Sequence, residues 1–261
     1  MTTAPVFFVS HGSPTFALEP GRLGPQLGKL GGQLSGVEAI AVISPHWQTR
    51  AVAVTTTARP DTIHDFGGFP RPLYELQYPA PGTLHFAAEA ARLLAEAGLA
   101  VDVDSRRGLD HGAWVPLLHL LPDAGVPVFQ VSMPWNLDTA GALRLGRALA
   151  PLREQGVMIL ASGSMTHNLY EIRQSGPEAA YVREFAQWNQ NAVMAGDVEQ
   201  LLAYRRLAPH AARAHPTDEH YLPLLVAMGA ASDQERPRFI EGGISYSVLS
   251  MDSYVWGLPG D

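Results

Sequence analysis

The chain has 261 residues, a net charge of -7 and 46% hydrophobic residues, the composition of a soluble globular protein with a sizeable core. Its 18 Lys and Arg residues form no block, so a nucleic-acid footprint is excluded, and no apolar run reaches the roughly 20 residues that span a bilayer. Cysteine is absent, which excludes disulfides, thiolate zinc sites and Cys nucleophiles; any metal must be held by His, Asp or Glu.

The N-terminus, MTTAPVFFVSHG, carries no basic segment before its short apolar run and is not read as a signal peptide. A cytoplasmic location is expected. VFFVS at 6–10, AIAVIS at 39–44, AVAVTTT at 51–57, VPVFQVSM at 126–133 and VMILASG at 157–163 are short β-type runs. Most are continuously apolar, as strands covered on both faces are. Between them, 83–98 places Phe86, Ala90, Leu93 and Leu94 on one helical face, with Gly98 as the stop. Residues 138–153 repeat that pattern, and the more charged 177–206 reads as one or two surface helices. Strands alternating with helices predict a three-layer α/β/α fold with a mostly parallel or mixed sheet, in one catalytic domain over 1–261. The Pro/Gly-rich stretch 58–82 is too long for a plain connection. Its Phe66, Phe69, Leu73, Tyr74 and Tyr78 mark it as an ordered pocket wall or lid.

Three apolar runs end near a histidine. His11 and His46 each follow a strand by one to three residues, the edge where open α/β sheets bind ligands. They read either as two imidazole metal ligands or as strand-end histidines bonded to loops. His167, after the turn-forming Ser162, Gly163 and Ser164, reads as a third ligand, a general base or a helix-entry residue. His111 lies between Gly108 and Gly112 in an expected tight loop, with a binding or acid role or none. In HPTDEHYLPLL, Thr217 reads as a helix N-cap, which puts His220 at the third helical position and makes it the preferred third ligand. Asp218 and Glu219 are alternative carboxylate ligands or ordinary dipole complements. His215 is assigned a supporting or surface place. His64 either touches substrate or packs on Phe66; His85, His119 and His210 receive no role. P-loop, dinucleotide-binding, HExxH and GxSxG motifs are absent.

SHGSPT, SPHW, TIHDFGGFP, LYELQYPAPG, DHGAW, SGSMTHNL and DEHYLPLL follow one another between residues 10 and 225. Together they resemble the class III (LigB-type) extradiol ring-cleavage dioxygenases, in the branch that includes the DOPA dioxygenases. The resemblance covers nearly the whole chain, and seven short motifs in order are specific. It implies a mononuclear divalent metal on His11, His46 and His220, with His167 as acid/base, His111 helping to bind substrate or protonate an oxygenated intermediate, and His64 lining the pocket. The implied partners are a small aromatic diol and O2, with neither nucleic acid nor membrane. Fe(II) is expected for catalysis, because redox-inert Zn2+ cannot activate O2, although Zn(II) is a metal this branch carries as isolated. A third histidine stands where the usual non-haem iron site has a carboxylate. Competing readings are a tetrapyrrole metal chelatase, a non-enzymatic zinc-binding protein of the same fold and, lower, a zinc hydrolase. The catechol, the cleavage position and the oligomeric state are not readable from these residues.

Overall fold

The computed structural model describes residues 3–174 and 176–258. In chain order its elements begin with β1 (Val6–Ser10), α1 (Leu23–Gly31), β2 (Ala39–Thr49), β3 (Val52–Thr55), α2 (Arg71–Glu75), α3 (Leu84–Glu96) and β4 (Val101–Asp104). They continue with α4 (His111–Leu120), β5 (Val128–Pro134), α5 (Thr139–Leu149), β6 (Val157–Gly163), α6 (Ala180–Ala195), α7 (Val198–Leu202), α8 (Tyr204–Leu207), α9 (Ala211–Ala214) and α10 (Leu222–Ala230). The C-terminal part adds β7 (Arg238–Ile240), β8 (Ile244–Ser245), β9 (Leu249–Ser250) and β10 (Ser253–Trp256).

Eight strands form one mixed sheet in the order β4-β3-β5-β2-β6-β1-β10-β7. The central four, β5-β2-β6-β1, are parallel. β10 runs antiparallel to β1 and β7 antiparallel to β10. Alternation along the strands sorts the core into two layers. Val6, Phe8, Ala39, Ala41, Ile43, Ile159 and Ala161 pack against α3, α5, α6 and α10. Phe7, Val9, Ile40, Val42, Met158 and Leu160 pack against α1 and α4. Each fully buried Val, Leu, Ile, Met or Phe side chain among them contributes about 1.5–3 kcal/mol. The predicted three layers are therefore present. Close helix packing depends on missing side chains: a Cβ at Gly146 of α5 would lie 2.0 Å from Val226 O of α10.

Three local expectations are corrected. The expected tight loop at 108–112 instead opens α4 at His111, with the Asp110 side chain accepting from Ala113 N–H as N-cap. That helix has apolar residues all round and an internal Pro116, so it shows no amphipathic period to read. Thr217 does not cap a helix. Residues 216–221 form turns in which the Tyr221 and Leu222 N–H groups both donate to Asp218 O, and α10 begins only at Leu222. His220 thus stands ahead of the helix. Finally, β2 does not stop at Ser44. It runs on to Thr49 through a register shift between Ile43 and Gln48, where Pro45 has no N–H for the ladder.

The segment 58–82 folds over α4. Trp114 Nε1 donates to Ile63 O at 2.9 Å, and Tyr78 OH donates to Leu121 O at 2.9 Å. Thr62 bridges Leu109.

Candidate metal centre and active site

The carboxyl ends of β1, β2 and β6 meet the start of α4 and the turn before α10, and each brings a histidine. His11 N–H donates to Gly163 O at 2.9 Å, carrying the β1–β6 ladder one residue further. This sets the His11 ring beside Ser162, whose Oγ lies 2.9 Å from Nδ1. Gly12 then turns the chain away at φ 61°, and a Cβ there would meet Met251 Sδ at 2.5 Å.

The β2 bulge aims His46 at the same point. Its Nε2 lies 3.1 Å from His11 Nε2. Two nitrogens each about 2.05 Å from a tetrahedral ion are separated by roughly 3.3 Å, so the pair has the spacing of two ligands to one cation. His220 faces the same chamber, its ring centroid 5.3 Å from that of His11 and 5.1 Å from that of His46. Its Nδ1 lies 3.0 Å from Glu219 Oε1. Its Nε2 is buried with no hydrogen-bond partner, an orphan that a cation would satisfy. The three rings share one logic: each Nδ1 faces an oxygen of Ser162, Asp65 or Glu219, which leaves each Nε2 for the centre.

Two further imidazoles close the cluster. His167 stacks on His220 with centroids 3.4 Å apart and planes 10° apart, held by its own N–H to Ala214 O. His111 packs 3.9 Å from His46. By the positions of ligand atoms alone the histidines fall into two groups, His11 with His46 and His111, and His220 with His167 and Glu219. His111 Nδ1 also lies 3.0 Å from an oxygen of Asp65, so the Nδ1 neighbours do not separate the two; the orphan Nε2 is what makes His220 the candidate for third ligand. His64 stands apart. Its Nε2 contacts Leu76 O at 3.1 Å and its ring packs on Phe66 and Trp114. Phe66, 5.7 Å from His111, stands between it and the cluster.

Burial keeps His11, His46, His167 and His220 neutral, the state a metal requires. His11 and His220 lie well below the ordinary histidine value, first through burial and then through mutual repulsion. His46 is pushed down to about 4 by burial and by His111, and His167 to about 4 chiefly by burial. Asp65, missed in the sequence, touches both His111 and His46. Its burial raises the carboxyl, but the contacts with His111 outweigh this and hold it at about 2. Beneath the site Asp110 is fully buried and accepts from Ser44 Oγ, Gln130 Nε2 and Arg107, bracing the backbone that carries His46 and His111. Asp218 is engaged by Tyr204 and Arg205, away from the cluster, and Glu219 orients His220. His215 is buried rather than on the surface, its Nε2 2.9 Å from Met165 O, where it braces the loop to His167.

A family model, the catalytic LigB subunit of aromatic ring-opening dioxygenase, matches residues 28–257. The chain belongs to this family. His46, His111, His167 and His220 of the LigB-family cluster fall inside the matched segment and His11 precedes it. Relatives named 4,5-DOPA dioxygenase extradiol agree along nearly the whole length. The one from Beta vulgaris is 39% identical over 95% of this chain and 94% of its own. The one from Escherichia coli K12 is 39% identical over 98% and 96%. A crystal structure of an uncharacterized protein from Escherichia coli K12 superposes with a TM-score of 0.80 at 32% identity, covering 97% of this chain and 99% of that one. This LigB-family protein is accordingly a ring-opening oxidoreductase that incorporates O2, and the chelatase, hydrolase and non-enzymatic readings fall away. Among the described residues no helix is long and apolar enough to cross a membrane.

Proposed function

We propose that the protein opens the ring of a DOPA-like catechol beside its two hydroxyls, with one divalent metal ion held by His11, His46 and His220 and with His167 as acid/base. One observation carries this reading: His11 and His46 bring their Nε2 atoms to 3.1 Å, the Nδ1 of His11, His46 and His220 each faces an oxygen, and the buried His220 Nε2 beside them has no other partner. Fe(II) in that donor set supplies the O2 activation that Zn2+ cannot. The relatives' shared activity on DOPA supports a catechol substrate.

The chain's own residues then divide the remaining work. His167 is neutral and lies against His220, so it can accept a proton from a catechol hydroxyl and return it during ring opening. His111 is fixed by its backbone N–H to Asp65 Oδ1 at 2.9 Å, and its ring can hydrogen-bond substrate or oxygen. Phe66 and, behind it, His64 form an aromatic wall on the 58–82 side. The ring bond next to the diol breaks, both atoms of O2 enter the product, and a muconic semialdehyde leaves.

Anaerobic reconstitution with Fe(II), in parallel with Zn(II), tests the reading on a panel of catechols including DOPA. Oxygen uptake with a yellow product is expected from the iron form alone. An iron-loaded protein, at one ion per chain, that consumes no oxygen with any catechol refutes it.

A further inference from the structure

Asp65 lies on the long segment 58–82, yet its carboxylate faces the histidine cluster. Oδ1 accepts from the His111 backbone N–H at 2.9 Å, and the His111 ring Nδ1 lies 3.0 Å from the same oxygen, out of line for a hydrogen bond. Oδ2 lies 3.8 Å from His46 Nδ1, beyond hydrogen-bond distance. The other acid near His46 cannot do this work. Asp110 is already committed to Ser44 Oγ, Gln130 Nε2, Arg107 and the Ala113 N–H. The next residue, Phe66, packs 5.7 Å from His111 and 5.2 Å from Tyr74, so the carboxylate is fastened to the aromatic body of the segment.

We infer that Asp65 is a positioning residue that sets His46 and His111 together, so that metal binding and the ordering of segment 58–82 are coupled. The inference rests on the proposed ligand role of His46. Carboxylates facing the second nitrogen of a ligating imidazole fix its tautomer and orientation, and losing one typically costs 10–100-fold in metal affinity. Asp65 is the carboxylate placed behind His46 Nδ1, 3.8 Å away, and it also accepts from the N–H of the first residue of α4. Withdrawing the segment removes the charge from behind His46; fixing His46 on a metal holds the segment down.

The test uses Co(II) alone on metal-free protein, without catechol or oxygen, and reads affinity by visible absorbance against a competing chelator. Asp65→Asn is expected to bind Co(II) at least about 10-fold more weakly than the parent protein. Tyr74→Ala loosens the same segment but keeps the carboxylate, so the coupling predicts a measurable loss of affinity that stays smaller than that of Asp65→Asn. Equal affinity for Asp65→Asn and the parent overturns the inference, as does an equal loss in Tyr74→Ala. Should the Asn variant not fold, hydrogen exchange on the unaltered protein decides. Co(II) should slow exchange across residues 61–78, and unchanged exchange there refutes the coupling. Failure of the iron assay would leave these outcomes intact, and the reverse also holds.

Discussion

Gly112→Ala is the substitution through which the packing of the site is most directly tested. Gly112 is the second residue of α4, wedged against β2. A Cβ there would lie 2.3 Å from Ser44 Oγ, 3.0 Å from His46 Cδ2 and 3.2 Å from Asp110 Oδ1. Against ordinary contact from 3.4 Å upward, the first approach is short by about 1.1 Å and the second by about 0.4 Å. Ser44 cannot simply rotate, because its hydroxyl donates to the buried Asp110 at 2.8 Å and accepts from the His46 N–H at 3.3 Å. Alanine gains about 1 kcal/mol of helix propensity. Overpacking costs about 1–3 kcal/mol, and loss of the hydrogen bond to a buried carboxylate about 1.5–3 kcal/mol. The balance is about 3 kcal/mol of destabilisation, or roughly 5 °C in Tm for a chain of this length. His46 must also shift by several tenths of an ångström. That is expected to weaken Co(II) binding about 10-fold and to lower kcat towards the roughly 100-fold loss that follows a 1 Å misplacement. Thermal melting of the metal-free protein and the Co(II) titration are the assays. A variant that melts at or above the parent temperature and binds Co(II) with unchanged affinity refutes the reasoning.

His167→Ala removes the ring stacked on His220 but none of the three proposed ligands. It should retain one metal per chain while kcat falls about 100- to 10,000-fold, and normal turnover in the iron-loaded variant would remove His167 from the mechanism. The buried Arg153 donates to Ala4 O, to Ala230 O and to both oxygens of Glu235, tying the chain before β1 to the end of α10. Burial raises the Glu235 carboxyl, but the Arg153 hydrogen bond and the Ser232 N–H outweigh it, so the folded value lies below the ordinary one. The stabilisation is therefore complete above the unfolded value of 4.5 and is lost as pH falls through the folded value. Glu235→Gln should lower Tm at neutral pH and converge on the parent protein as pH falls through the folded value, as linkage requires; a Tm gap independent of pH would show that the charge is not what matters.

Much of the site was legible because strand ends are local. A continuous apolar run that stops at Ser10, Ser44 or Gly163 announces a buried strand and its edge, and His11, His46 and His167 stand at or just past those points. His220 does lie in the cluster, but the local reason expected for it does not hold. Its position comes from a turn held by Asp218 O and from its own carbonyl, which accepts from Ser164 N–H at 2.9 Å, not from a first helical turn. α4 was missed because a helix buried all round carries no period. The short β7 and β10 were missed because strands of three and four residues offer almost no pattern, and pairing of β10 with β1 and of β7 with β10 is what makes them strands.

The sequence by itself determined the layered α/β architecture, the absence of any thiol chemistry and a histidine at each of several strand ends, since these depend on composition and on periods of two and 3.6 residues. Only the tertiary structure decided which nitrogens converge. The 3.1 Å between His11 and His46 Nε2 follows from the order β2-β6-β1 and from a bulge at Pro45. The oxygens behind each ring come from β6, from segment 58–82 and from the residue beside His220. Such distances join residues up to 151 positions apart in the chain. Local propensity carries no information about them, because they are set by how the whole sheet closes around its core.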